Sequence, residues 1–290
     1  MLAQAKINLF LRILGREVNG YHSIETMFLR LDLADVVRVR VGDGRERAIR
    51  CHGHACPAEG LGPPEQNLAY RAALAYADAV GWPSGFAIDV EKNVPVGSGL
   101  GGGSADAAAV LRALDMMAPK AAGDETIAKI ASRLGADVPF LASDSVCALA
   151  WGRGERMLDL RPPPRRQAEL LVPAFGVSTK WAYDQLAATW GDVRPRPARH
   201  RVAELSSWDH LSTVAVNDLE PIVSAKHPEI GACVVNLRAR GATIAMMSGS
   251  GSTVFGIFDR RPRAPSDIGG PLTSVRTYTA NRVVGVERIE

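Results

Sequence analysis

The chain has 290 residues, 34 Lys and Arg against 31 Asp and Glu, and a formal net charge of +3 at neutral pH. That charge is too small to argue for a nucleic-acid partner, and the length is enough for a large core in one or two domains. No apolar run approaches the ~20 residues of a membrane span, and no signal-peptide pattern precedes the first strand, which predicts a cytoplasmic protein.

Ala5-Lys6-Ile7-Asn8-Leu9-Phe10-Leu11 alternates about its apolar positions and reads as a half-buried strand. Lys6 and Asn8 are two apart and share a face. Period alone fits a solvated face as well as a site. Gly15 to His22 contains Asn19-Gly20, a turn signal, followed by Tyr21 and His22. Cys51-His52-Gly53-His54-Ala55-Cys56 packs four potential metal ligands into six residues. Structural zinc sites usually need a second, distant pair, so this segment reads as a loop without metal. Cys147 and Cys233 stand singly in apolar, strand-like contexts. Disulfides are not expected in a reducing compartment. Asn67 is an N-cap by residue type, ahead of an alanine-rich helix over 69–79.

The richest segment runs from Lys92 to Ala109. Five glycines fall within the seven residues from Gly97 to Gly103, and a strong helix former, alanine, dominates positions 105–109. Glycine lets backbone N–H groups approach a ligand closely. A helix start adds unpaired donors and a positive dipole end, so the arrangement suits phosphate. Gly97, Gly99 and Gly102 form a G-x-G-x-x-G match, but Lys92, Asn93 and Pro95 interrupt the buried strand that a dinucleotide fold requires. Gly103 stands where a Walker lysine would be, which excludes an ordinary P-loop. Ser104 reads as the helix cap, with or without a phosphate contact.

A helix over 125–134 ends at Gly135, as a glycine C′ would end it. Asp137 comes next, two residues before Pro139. It reads either as a cap for a short helix or as a general base. The run Arg161-Pro162-Pro163-Pro164-Arg165 marks a domain boundary, giving units 1–162 and 163–290. Beyond it come a strand over 169–172 and a helix from Ser178-Thr179 through Leu186. Arg194 to Arg201 reads as an exposed basic loop. Asn217-Asp218-Leu219-Glu220 opens another helix, with capping residue types at 217 and 218. Met247 to Gly256 is a second Gly/Ser turn, before a strand over 254–258. Strands and helices mix without strict alternation, which predicts an α+β fold.

These segments, in this order, resemble the GHMP kinases (galacto-, homoserine, mevalonate and phosphomevalonate kinases). The second motif of that family reads P-x-x-x-G-L-G-S-S-A. Pro95, Gly99, Leu100 and Gly101 match it, Gly102 and Gly103 replace its two serines, and Ser104 stands one step late. The triple glycine, together with A-K-I-N-L-F-L and N-G-Y-H, resembles one branch, whose substrate is a cytidine-diphosphate sugar alcohol built on methylerythritol. That branch serves the non-mevalonate isoprenoid route and usually reads G-L-G-G-G-S-S-D-A-A. Ala105 departs from it and leaves Ser104 as the only hydroxyl in the turn.

The resemblance implies a two-domain fold. The first domain would be like the second domain of ribosomal protein S5 and the second ferredoxin-like, with the active site between them. It implies ATP as phosphoryl donor, Mg²⁺ bridging phosphate oxygens with few protein ligands, and a small-molecule acceptor phosphorylated at its 2-hydroxyl. Pro95, Gly97, Gly99, Leu100, Gly101, Gly102, Gly103 and Ser104 would hold the phosphates, and Asn67 and Lys92 would line the adenosine pocket. Lys6 and Asn8 would face the acceptor hydroxyl, with Asp137 as base against the substrate and Lys6 stabilising charge on the moving phosphoryl group. Tyr21 and His22 would hold the cytosine end. Tyr183 would stack on the other face of cytosine, or else pack in the core. The turn at 247–256 would lie beside the phosphate loop. A monomer or weak homodimer is expected. Two alternatives remain open: a GHMP kinase for homoserine or a mevalonate, and a nucleotide-binding protein without catalysis. Tyr21, His22 and Tyr183 weigh against the first, and Lys6 with Asp137 against the second.

Overall fold

Two long strands, β1 (Leu2–Arg16) and β2 (His22–Gly42), run antiparallel along most of β1. The computed structural model describes residues 1–16, 22–189, 200–263 and 271–288. Tyr21, the Asn19-Gly20 turn and positions 194–199 of the basic run lie outside the described residues. β1 is longer than the predicted 5–11 because it is covered on both sides, and a doubly covered strand does not alternate cleanly. Its register against β2 shifts between Gln4 and Lys6 and again between Asn8 and Phe10. Such irregularities re-aim side chains. Ala5, Ile7, Leu9 and Phe10 enter a core shared with the second sheet, while Lys6 and Asn8 reach a cleft.

The first half continues through β3 (Arg47–His52), α1 (Leu68–Val80), β4 (Gly85–Glu91) and α2 (Gly102–Met117), then α3 (Asp124–Leu134), α4 (Val138–Ala142), β5 (Cys147–Gly152) and β6 (Arg156–Asp159). The sheet order is β3-β4-β2-β5-β6, with β1 also on β2; only β3 and β4 are parallel. β2 holds β5 through residues 24–29 and β4 through residues 36–42. Alanine faces of α1 and α2 (Ala69, Ala72, Ala73, Ala105, Ala108) are buried together over this sheet. Gly135 ends α3 as expected, but with an extended backbone (φ 172°) rather than a left-handed one.

The second half comprises β7 (Gln167–Pro173), α5 (Thr179–Thr189), α6 (Trp208–Val214), α7 (Glu220–Lys226), α8 (Pro228–Ala239), β8 (Ile244–Met247), β9 (Val254–Phe258) and β10 (Leu272–Tyr278). Its sheet is antiparallel in the order β10-β7-β9-β8. Counted within this half the order is 4-1-3-2, as in a ferredoxin-like sheet. Cys233 lies on α8, not on a strand: its apolar neighbours Val234 and Leu237 recur at helical spacing, and a short run does not reveal the period. Mixed strands and helices in two sheets make an α+β fold.

Two buried charge clusters tie distant segments together. Arg240, at the end of α8, makes a two-pronged contact with Glu169 of β7, at 2.7 Å for each bond. Asp35 of β2, Lys92 just after β4 and Asp106 of α2 form the second cluster, beneath the glycine-rich loop. Lys92 donates to both carboxylates, at 2.6 Å to Asp106. The other oxygen of Asp35 accepts from the amides of Asn93 (2.5 Å) and Val94 (2.7 Å). Burial raises the Asp106 carboxyl to about 7; Lys92 opposes that rise and Asp35 adds to it. The ammonium of Lys92 loses solvation on burial, but its two carboxylates outweigh that and raise it above its ordinary value.

Two outcomes are expected. Arg240→Ala strands a buried carboxylate and should cost about 3–5 kcal/mol in urea unfolding. Between pH ~4 and ~7 the folded chain keeps a proton on Asp106 that the unfolded chain has released, so this group's contribution to stability is lost as pH rises through that window. Asp106→Asn should remove that loss. The melting temperature of the variant minus that of the parent should increase from pH ~5 and level off above pH ~7; a constant difference would refute the assignment.

Candidate active site

A cleft of about 1580 Å³ opens where β1, the glycine-rich loop, the α3–α4 connection, α5 and the second glycine turn meet. Lys6 sits in its wall, only 3 % exposed. Its ammonium donates to Asn8 Oδ1 at 2.8 Å and to the carbonyl of Gly99 at 3.0 Å, and pairs with Asp137 Oδ2 at 3.3 Å. These three partners match the three donors of an ammonium. Asn8 is itself oriented, because its Nδ2 donates to Thr26 Oγ1 at 2.8 Å while Thr26 donates to the carbonyl of Phe10 at 2.7 Å. That chain turns the amide oxygen of Asn8 toward Lys6.

Asp137 occupies the N-cap position of α4 but makes no capping bond. Its side chain turns to Lys6 and stays 29 % exposed, open to the cleft. The cap reading of this residue is thereby excluded.

The glycine-rich loop turns through left-handed residues at Gly97, Gly99 and Gly101. Gly101 (φ 73°), not Ser104, caps α2; Ser104 lies in the first turn. The expected serine cap yields for a physical reason. A side chain at 101 would need the left-handed conformation and would put its Cβ 3.1 Å from the Lys6 side chain. The Ala105 amide bonds back to the Gly101 carbonyl at 2.8 Å. The amides before it, at Gly102, Gly103 and Ser104, belong to the free first turn and line the cleft. A helix N-terminus built this way receives phosphate oxygens. Leu100 does not line the cleft; it is fully buried and anchors the loop in the shared core.

The second glycine turn packs directly on the first. Ser248 Oγ donates to the Gly99 carbonyl at 3.0 Å, and the Thr253 amide to the Ser98 carbonyl at 3.0 Å. A Cβ on Gly99 would lie 2.2 Å from the Ser248 carbonyl oxygen. Asn217 braces the turn by donating to the carbonyls of Met247 and Gly249, each at 2.8 Å, and Glu220 accepts the Met247 amide at 2.6 Å. Neither expected capping residue caps α7, whose N-cap is Leu219: Asn217 accepts the Leu219 amide at 3.0 Å, and Asp218 accepts the Ile13 amide of β1 at 2.8 Å.

His22 and Tyr183 meet in the wall of the same cleft, ring centroids 4.9 Å apart and planes tilted by 35°. Burial first, and the Asp137 charge second, push the Tyr183 hydroxyl upward, which keeps it neutral. Asn67 caps α1 through the Ala69 amide at 2.9 Å and also lines the cleft. Lys92 reaches the same wall, but its ammonium is held by Asp35 and Asp106.

Of the site residues expected from sequence, the cleft collects all but the buried Leu100 and Tyr21, which is not described. Sequence reasoning missed Thr26, Asp35 and Asp106. Asp106 had a signal, a carboxylate inside the otherwise alanine-rich stretch 105–109 of α2; Thr26 and Asp35 had none, because their partners are distant in sequence.

Residues 67–145 match the family model "GHMP kinases N terminal domain", and residues 197–268 match "GHMP kinases C terminal". The 4-diphosphocytidyl-2-C-methyl-D-erythritol kinase of a Geobacter species is 38 % identical over 262 residues, covering 89 % of each chain. The enzyme of that name from Desulfotalea psychrophila is 39 % identical over 267 residues, 90 % of this chain and 85 % of the relative. A crystal structure of 4-(cytidine 5'-diphospho)-2C-methyl-D-erythritol kinase superposes with a TM-score of 0.72 at 32 % identity, covering 97 % of this chain and 99 % of the other. A homoserine kinase from Cytophaga hutchinsonii shares the fold, with a TM-score of 0.63 at 19 % identity over 88 % of each chain. With Lys6, Asp137 and both glycine turns gathered at one cleft, the chain belongs to the GHMP kinase family, among its 4-diphosphocytidyl-2-C-methyl-D-erythritol kinases.

Proposed function

We propose that this kinase transfers the γ-phosphoryl group of ATP to the 2-hydroxyl of 4-diphosphocytidyl-2-C-methyl-D-erythritol. The observation that supports this most is the position of Lys6, 3.3 Å from Asp137 and 3.0 Å from the Gly99 carbonyl. It puts a carboxylate, an ammonium and a phosphate cradle around one small volume.

Phosphoryl transfer demands positioning and charge neutralisation more than covalent participation. Asp137 accepts the proton of the 2-hydroxyl as its oxygen bonds to the γ-phosphorus, and the β–γ bridging oxygen leaves with ADP. Lys6 stands beside the carboxylate and neutralises charge on the phosphoryl group in flight. Amides of the glycine-rich loop and the start of α2 hold the α- and β-phosphates. Asn67 lies at the adenosine end, with Lys92 fixing the wall beneath it. Asn8 orients the acceptor, and His22, Tyr183 and Tyr21 receive the cytosine end, an apolar face paired with groups that read a base edge.

Among the described residues no group of three or more His, Cys, Asp or Glu could hold a metal ion. Mg²⁺ there would be held chiefly by nucleotide phosphates and water, with the Asp137 carboxylate and the Ser104 hydroxyl, both lining the cleft, as protein oxygens that could serve it. Bound there, Mg²⁺ supplies neutralisation of phosphate charge. The two domains divide at 162/163, in the proline run between β6 and β7.

Asp137→Asn should lower kcat at least ~100-fold while leaving the KM for ATP within about 3-fold. Turnover should be confined to the cytidine-diphosphate acceptor when homoserine and mevalonate are offered at equal concentration. Comparable rates on homoserine or mevalonate would overturn the acceptor assignment, and near-normal turnover by the Asn variant would remove Asp137 from the chemistry.

A further inference from the structure

The base is carried by a helix that cannot hold itself in place. α4 spans five residues, Val138–Ala142. One and a half turns are far below the length at which a helix is stable alone, so its direction is set by what grips it. At its carbonyl end the Ser143 amide donates to Pro139 and Phe140 at 3.2 Å and the Ser143 hydroxyl to Phe140 at 2.8 Å, but the carbonyls beyond Phe140 have no helical donor and need partners from elsewhere.

Arg30 fills that role. Its Nη2 donates to the carbonyls of Phe140 (2.9 Å), Leu141 (3.0 Å) and Ser143 (2.9 Å), and its Nε donates to the carbonyl of Ser145 (2.8 Å). The guanidinium lies 5.0 Å from the centre of the Phe140 ring. Arg30 is 3 % exposed, and no carboxylate lies within ion-pair distance of it among the described residues. Burying a guanidinium without a carboxylate is costly, and here the compensation comes from carbonyls at the negative end of a helix. Burial first, then the nearby Arg112, lowers its pKa to about 9, so it remains a cation at neutral pH.

The placement of Arg30 in the sheet gives this grip its meaning. Arg30 on β2 is the direct cross-strand partner of Lys6 on β1. Opposed residues of an antiparallel pair project to the same face. One rung of the sheet thus meets both ends of α4, Lys6 at Asp137 and Arg30 at the carbonyl end.

We infer that Arg30 is a positioning residue for phosphoryl transfer, setting where Asp137 stands relative to Lys6 by fixing the far end of α4. This rests on the reading of Asp137 as the base. Lysine cannot take the place of Arg30, because a single compact ammonium lacks the planar fork that reaches four carbonyls. A displacement of about 1 Å at a reacting group can cost on the order of 100-fold in rate.

The test is a double-mutant cycle of Arg30→Lys with Asp137→Asn, read by steady-state kinetics. Arg30→Lys should lower kcat about 10–100-fold, with KM for ATP and for the acceptor within about 3-fold. Asp137→Asn should cost at least ~100-fold in the parent but under ~10-fold in the Arg30→Lys background, because the carboxylate is already misplaced there. Additive losses, or a kcat within about 2-fold of the parent, would refute the role of Arg30. A parent protein indifferent to Asp137→Asn would instead refute the base itself. If Arg30→Lys does not fold, Phe140→Leu removes the ring beside the guanidinium and should give the same coupling in milder form; additivity in that cycle refutes the inference equally.

Discussion

One buried ammonium fixes the nucleotide end of this enzyme. Lys92 joins Asp35 of the first sheet to Asp106 of α2, and the second oxygen of Asp35 takes the amides of Asn93 and Val94. Both ends of the glycine-rich loop are therefore fastened to the same point. A loop with left-handed turns at 97, 99 and 101 would otherwise carry a large entropy cost for holding its amides in one arrangement. The anchor lets glycine, the most permissive residue, form a fixed set of donors.

The two carboxylates that matter in the cleft are separated by environment. Asp106 is enclosed with another acid and is held near neutrality by burial. Asp137 stays partly open to solvent beside Lys6. The first serves architecture and the second chemistry, although the two residue types are identical. The same contrast appears between the lysines. Lys92 is spent on protein carboxylates, whereas Lys6 binds protein groups at the point where the glycine-rich loop meets the base.

Much of the site could be read from short stretches of sequence because its signals are local. The spacing of Lys6 and Asn8, the glycine run and Asp137 just before Pro139 each lie within a few residues. What could not be read depends on long separations. Asp35 and Lys92 are 57 positions apart, and Arg30 reaches carbonyls 110 or more positions away. No period or turn rule reports such pairings. Ser104 departs from its expected capping place for another reason. Residue preference favours serine over glycine at a cap, but preference gives way where the backbone must turn left-handed against a packed side chain. The full length of β1 was hidden because both of its faces are covered, so polarity stopped marking the strand.

The contact between Gly99 and Ser248 constrains how this enzyme could be re-engineered. The carbonyl of Ser248 occupies the volume where any other residue at 99 would place its first side-chain carbon. The two turns thus meet main chain against main chain at residue 99, and the side chains beside that contact, Ser248 and Lys6, are already committed to the Gly99 carbonyl. Grafting a loop from a cousin kinase would succeed only if both turns travelled together, and random libraries over either turn alone would be dominated by chains that no longer close.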